Sequence, residues 1–202
     1  MHDIAGERAP GSHASSEPRL PGDEGVWFFV VADLLGFSVF FLLFIAGRLE
    51  APDLYEASRR QLDAGLGLFN TLVLLTSSLV MVRAVDAVRA GSKDLARRYL
   101  LGTVAVASLF VVSKAFEYGS KFSHGIGLLT NEFFTYYFIL TGVHLLHFTI
   151  GIVAILVCRA RLARQPLDAK MVVWTEATGS YWHLVDLLWI VLFPMLYLLR
   201  AG

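Results

Sequence analysis

Five long apolar runs separated by short polar segments organise the chain. The first, Val26 to Gly47, is 22 residues with a single charge, Asp33. Residues 64–82 supply nineteen consecutive uncharged positions. The third run, Tyr99 to about Ser120, carries Lys114 and Glu117 in its second half, and the fourth, Phe133 to Cys158, is 26 residues holding His144 and His147 but no Asp, Glu, Lys or Arg. The fifth, Met171 to Leu199, contains Glu176, His183, Asp186 and Pro194. A helix of about 20 residues crosses the hydrocarbon of a bilayer, so the pattern predicts an all-α integral membrane bundle of five transmembrane helices. Residues 1–24, with Pro, Gly, Ser, His and mixed charges but no apolar run, read as a flexible cytoplasmic tail before a membrane domain spanning 25–202. The first run is too long for the core of a cleavable signal.

Composition agrees. Hydrophobic types make up 56% of 202 residues and charged types 17%, with a mean hydropathy of +0.61, far from the balance of a water-soluble domain. Seventeen basic and seventeen acidic residues leave no net charge to hold a phosphate backbone, so nucleic acid is not an expected partner. One cysteine, Cys158, cannot build an intramolecular disulfide, a Cys-based zinc site or an iron–sulfur cluster. Five spans place eleven Lys and Arg on the side of the N-terminus and five on the other. Positive residues are retained inside, so the N-terminus is expected in the cytoplasm and the C-terminus on the outer side. Nucleophile motifs, phosphate loops and dinucleotide fingerprints are absent, and neither half of the chain mirrors the other.

The chemistry that remains is in ionisable groups placed inside apolar helices, each costing at least about 2.5–3.5 kcal/mol at the bilayer centre and therefore expected to face protein. His144 and His147 are three residues apart, as are His183 and Asp186, while Glu176 and His183 are seven apart, so each set forms a stripe on one side of its helix. The plainest expectation is that spans 4 and 5 turn these stripes together, a carboxylate accepting from an imidazole across the interface. A metal or haem site built from the same His and carboxylate groups is the second use open to them, and a proton relay the third. Lys114 and Glu117 are expected to pair locally, with Lys114 snorkelling to the interface. Asp33 has no cation in its own span, which leaves packing, proton handling or a contact with another subunit. Gly67, Asn70, Thr71, Leu74, Ser77 and Ser78 form a small and polar stripe suited to close helix packing. Phe133, Phe134, Tyr136 and Tyr137 at the outer edge, with Trp27 and Trp174 at the inner one, fit interfacial belts.

The segment TGVHLLHFTIG, residues 141–151, followed by YWHLVDLLWIVLF, residues 181–193, resembles subunit III of the haem–copper respiratory oxidases. The likeness rests on Gly142, His144, His147, Glu176, Trp182, His183, Asp186 and Trp189, on the FEY of Phe116 to Tyr118, and on ADLLGFSVFF around Asp33, and it covers about residues 21–200. Asp33 stands where longer-chain members carry glutamate. Five spans are similar to both the quinol-oxidase type and the nitric-oxide-reductase-associated branch of the family, and PGDEGVWFF, GLFNTLVLLTSSLVM and LLWIVLFPMLYLLR look most like the latter, NorE-type branch. The resemblance implies a non-catalytic subunit of a cytochrome oxidase or nitric oxide reductase in the bacterial inner membrane. Such a subunit has no cofactor of its own. Haem and copper or non-haem iron would lie in the catalytic partner, and bound phospholipid is a further expectation. It also implies that Glu117, His144, His147, Glu176, His183 and Asp186 form a buried polar network, with Asp33 as a proton or subunit-contact carboxylate. Two rivals stand beside it: a membrane metalloprotein or b-type cytochrome using Glu176, His144, His147 and His183, and a small proton carrier using Asp33 and Glu117.

Overall fold

The computed structural model describes residues 24–200; the segment 1–23, which the sequence reads as part of a flexible tail, and the side chain of Trp27 lie outside the described residues. Within them the fold is all-helical: α1 (Glu24–Glu50), α2 (Pro52–Arg59), α3 (Ala64–Arg89), α4 (Lys93–Ser123), α5 (Glu132–Arg164) and α6 (Ala169–Phe193), closed by a wide π turn, Pro194–Leu198. Five of these helices are long and apolar enough to span a membrane, matching the five apolar runs. They overrun the runs at their ends: α4 starts at Lys93 rather than Tyr99, and α5 continues past Cys158 to Arg164. A helix satisfies its own backbone, so nothing ends it where the side chains turn polar.

Local chemistry marks the starts. Asp63 caps α3 by accepting from the backbone N–H of Gly65 at 2.8 Å and Leu66 at 3.1 Å. Asn131 caps α5 through Phe134 at 3.0 Å, and Asp168 caps α6 through Met171 at 2.8 Å. Asp63→Ala is expected to cost about 1 kcal/mol in detergent unfolding, with Asp63→Ser recovering most of it; equal losses in both variants would count against the cap. The turn from α3 into α4 passes through Gly91 at φ 74°, a conformation that a Cβ would strain.

The short helix α2 has no counterpart among the apolar runs. Pro52 begins it, where a missing N–H costs nothing, and Glu56 hydrogen-bonds and pairs with Arg59 at 2.7 Å, which raises the affinity of that guanidinium for its proton. Tyr55 of α2 is fully buried against Phe44 and Phe133, with ring centroids 5.2 and 5.6 Å away. Its burial, together with the nearby Glu132 carboxylate, pushes the phenol well above the usual tyrosine range, so it stays neutral. This lid corrects the expected outer belt. Phe133, Phe134 and Tyr137 are buried in the core, because α1, α2 and the C-terminal turn cover that face of α5. Trp174 is half exposed, with the Arg161 guanidinium 4.0 Å over its ring, as an interfacial indole would be.

α6 is the axis of the bundle. Sixty-one per cent of its apolar window is buried, against 22% for α1, 33% for α3, 33% for α4 and 33% for α5. The small stripe of α3 lies along it as a rail. The Trp182 indole donates to Ser77 Oγ at 3.2 Å and the Trp189 indole to Thr71 Oγ1 at 3.1 Å, so two rings seven residues apart on α6 read two hydroxyls on an antiparallel neighbour. At Gly67 a Cβ would come within 2.6 Å of the Phe193 ring, so only glycine lets the two helices meet there.

Candidate functional site

The buried polar residues sort into separate clusters, each fixed by which neighbour its helix face meets. Where α1 leans on α5, His147 Nε2 lies 2.9 Å from Asp33 Oδ1. His147 Nδ1 lies 2.8 Å from the Val143 carbonyl, and Tyr181 donates to the His147 carbonyl at 3.1 Å. Both ring nitrogens thus face oxygens that accept, and one of those is a carboxyl. The contact with an α1 carboxylate replaces the expected pairing of His147 with a carboxylate of span 5.

On α6, Glu176 and His183 also find partners off α5. Glu176 accepts from Arg89 at the end of α3, 2.8 Å away and half open to solvent. His183 Nδ1 is 2.6 Å from Ser78 Oγ, again on α3, and 4.0 Å from Asp186 Oδ2 one turn along its own helix. Asp186 is 3% exposed, with neither carboxylate oxygen in hydrogen-bond geometry with another described group. The expected meeting of the α5 and α6 stripes therefore does not occur; the α6 stripe rotates toward the hydroxyl-bearing face of α3. His183→Leu and Ser78→Ala are each expected to lower stability by about 0.6–1.7 kcal/mol, the range for an interhelical hydrogen bond in a membrane. The double variant should lose no more than either; additive losses would show that the two side chains act apart.

Deeper toward the other end, Lys114 and Glu117 pair at 2.8 Å as the spacing predicts, but Lys114 is 3% exposed and does not snorkel. Its ammonium donates to Glu117 Oε2 and to the Tyr197 hydroxyl, both at 2.8 Å, and Tyr197 donates onward to Glu117 Oε1 at 2.6 Å. Four rings surround the ammonium nitrogen, with centroids at 4.8 Å for Trp189, 5.3 Å for Tyr137, 5.4 Å for Tyr197 and 5.8 Å for Tyr118. Cation–π attraction replaces the hydration that a snorkelling lysine would seek. Arg59 of α2 holds the Tyr197 carbonyl at 3.1 Å, tying the C-terminal turn over the cage. Sequence reasoning missed Tyr197 and Trp189 as partners of Lys114. The signal was present in the aromatic spacing of the last helix, but the turn after Pro194 decides where Tyr197 points.

His144 stands apart. It is fully buried between Phe110 and Trp189, ring centroids 5.6 and 5.3 Å away, with no hydrogen-bond partner among the described residues at either nitrogen. Glu117, His144, His147, Glu176, His183 and Asp186 are thus spread over distinct contacts. Among the described residues no three His, Cys, Asp or Glu side chains converge as metal ligands would. The donor set of the metalloprotein rival, Glu176, His144, His147 and His183, points to Arg89, an aromatic slot, Asp33 and Ser78 respectively.

The bundle pairs Lys114 with Glu117 and Asp33 with His147 internally and keeps large apolar side chains on its outer faces. The model for cytochrome c oxidase subunit III matches residues 2–200. Cytochrome c oxidase subunit 3 of Synechocystis sp. is 33% identical over 193 residues, covering 95% of this chain and 80% of that protein. The probable cytochrome c oxidase subunit 3 of Mycobacterium bovis is 26% identical over 188 residues, 93% of this chain and 92% of that protein. The heme-copper oxidase subunit I+III of Aeropyrum pernix is 26% identical over 179 residues, 86% of this chain and 22% of that protein. With nearly its whole length matched, this multi-pass membrane chain belongs to the cytochrome c oxidase subunit III family.

Proposed function

We propose that the chain is the non-catalytic, subunit III-like component of a respiratory haem–copper terminal oxidoreductase in a bacterial inner membrane, with its N-terminus in the cytoplasm. It supports assembly, lipid or gas access and proton uptake of the catalytic subunit, and transfers no electrons itself. The observation that carries this reading is the match of the family model to residues 2–200. The Aeropyrum relative, named as subunits I and III in one polypeptide, supports a subunit I as the partner. Haem and copper, or non-haem iron, belong to that partner, and α1, the least buried of the five spans, offers it an apolar face. Within the family, five spans suit both the aerobic quinol-oxidase type and the branch that accompanies nitric oxide reductases, and the segments PGDEGVWFF, GLFNTLVLLTSSLVM and LLWIVLFPMLYLLR are most like the second.

Purification of a tagged copy from native membranes tests this. The expected result is co-elution with a haem-bearing catalytic subunit, and the gas that this complex reduces, nitric oxide or oxygen, decides the branch. A chain that elutes alone, coloured or loaded with stoichiometric metal, would overturn the accessory reading.

A further inference from the structure

Between α3 and α6, at the end where Arg89 pairs with Glu176, the bundle surface opens into a cavity of about 200 Å³ whose walls include Asp86, Arg89, Glu176, Gly179, Ser180 and His183. Four of these residues are ionisable, an unusual lining for a groove on a membrane-spanning bundle. The polar groups of α6 continue it inward on one face: Glu176, Ser180 and His183 at i, i+4 and i+7, then Asp186 three residues further. Exposure is uneven along this line and ends at Asp186: the side chain of Arg89 is 54% exposed, that of Glu176 17%, that of His183 39% and that of Asp186 4%. Neither oxygen of this innermost carboxyl makes a hydrogen bond of full geometry among the described residues, and its polar neighbours are the Ser78 hydroxyl and His183 Nδ1. A buried carboxyl left so is costly unless water or a proton reaches it.

We infer that the α3–α6 groove is a hydrated access route that delivers protons from the Arg89–Glu176 end to Asp186, with His183 as the relay. The inference rests on the accessory-subunit reading only for the use to which the proton is put. The cavity has room for several waters; its walls are largely apolar, Val82 and Val85 among them, and Asp86, Arg89, Glu176 and His183 are the groups that give water a partner. His183 stands at its inner end with Nδ1 2.6 Å from Ser78 Oγ and 4.0 Å from Asp186 Oδ2, and the Ser78 hydroxyl is the polar neighbour that the two share. A hydronium in the groove gives its proton to Nε2 of a ring already protonated at Nδ1 and leaves as water. The resulting imidazolium releases the Nδ1 proton to Ser78 Oγ, and that hydroxyl passes its own proton to the Asp186 carboxylate, which becomes the acid. The ring is then neutral with its proton on Nε2, and water that takes the proton from Nε2 and returns one to Nδ1 restores the starting tautomer. The charged and titratable groups around this path come from every packed element. α3 supplies Asp86 and Arg89, and α6 supplies Glu176. On the other sides of α6, α5 brings His144 against Trp189 and His147 against Asp33 of α1, and α4 brings the closed Lys114–Glu117 pair. None of these latter groups offers Asp186 a partner, so the groove is its route to water.

Infrared spectroscopy of the full chain, in its complex or in lipid nanodiscs, reads this through the C=O stretch of a protonated carboxyl. The expected result is a band that titrates, disappears in Asp186→Asn and shifts rapidly on transfer to D2O. His183→Leu should slow that shift at least about tenfold, and Ser180→Phe, which plugs the exposed mouth without touching His183 or Asp186, should do the same. A band whose exchange is unchanged in both variants, or the absence of any band lost in Asp186→Asn, overturns the inference. Tagged purification decides the accessory reading separately: a complex with unaltered exchange in both variants sinks only the groove, and a chain without a partner but with slowed exchange sinks only the assignment as a subunit.

Discussion

Lys114→Met is expected to lower the unfolding free energy by about 3–5 kcal/mol, the loss found when one partner of a buried ion pair is removed and the other left behind. The geometry gives the reason. Glu117 receives two hydrogen bonds, one from the Lys114 ammonium and one from the Tyr197 hydroxyl, while Tyr197 itself accepts from Lys114. Methionine fills the aromatic cage but leaves a carboxylate facing four rings with a single donor. Glu117→Gln should be comparably harmful, since it leaves a buried ammonium with no counter-charge, facing four rings, one hydroxyl and a neutral amide. The double variant Lys114→Met with Glu117→Gln removes both charges and keeps an acceptor for Tyr197, so it should return to within about 1–2 kcal/mol of the native protein. Reversible unfolding in mixed micelles measures all three. Simple addition of the two single losses in the double variant would mean that the pair does not act as a unit.

The same residues show how far a sequence can be read. The number and nature of the spans were legible because five uninterrupted apolar runs leave the backbone no alternative to helices in lipid. The short α2 was not, since eight residues carry little helical preference of their own and its place is set by the burial of Tyr55 against Phe44 and Phe133. Spacing identified which polar groups share a stripe but not what the stripe faces. Residues three apart on a helix differ by about 60° in direction, enough for His147 to reach Asp33 on α1 while His144 enters the slot between Phe110 and Trp189. A rotation of that size also separates Glu176 and His183, which turn to α3, from any histidine of α5. Burial of Lys114 was hidden for a further reason. Its depth suggests snorkelling until Pro194 opens the wide turn that folds Tyr197 back over it.

Trp182→Ala should be the most damaging single apolar truncation, costing about 3–5 kcal/mol. The indole is fully buried at the junction of three helices: its N–H meets Ser77 on α3, its ring lies 5.3 Å from that of Phe148 on α5, and its edge rests on Gly151, where a Cβ would sit 2.8 Å from Cε3. Lipid tails are as apolar as the core, so burial supplies little of this energy; the loss comes from dispersion contacts across a cavity that rigid helices cannot close. Gly151→Val attacks the same contact from the opposite side, driving two methyl groups into the indole and separating α5 from α6, with an overpacking cost of about 1–3 kcal/mol. Combining the two distinguishes packing from any other role for the ring. Valine at 151 should partly fill the space vacated by the indole, so the double variant should be more stable than the two separate losses imply, by about 0.5–3 kcal/mol. Thermal unfolding of the four proteins in one detergent measures this coupling. A double variant that loses the full sum would show that Gly151 and Trp182 do not share a single fitted surface, and that close approach of the indole is not what calls for a glycine on the buried face of α5.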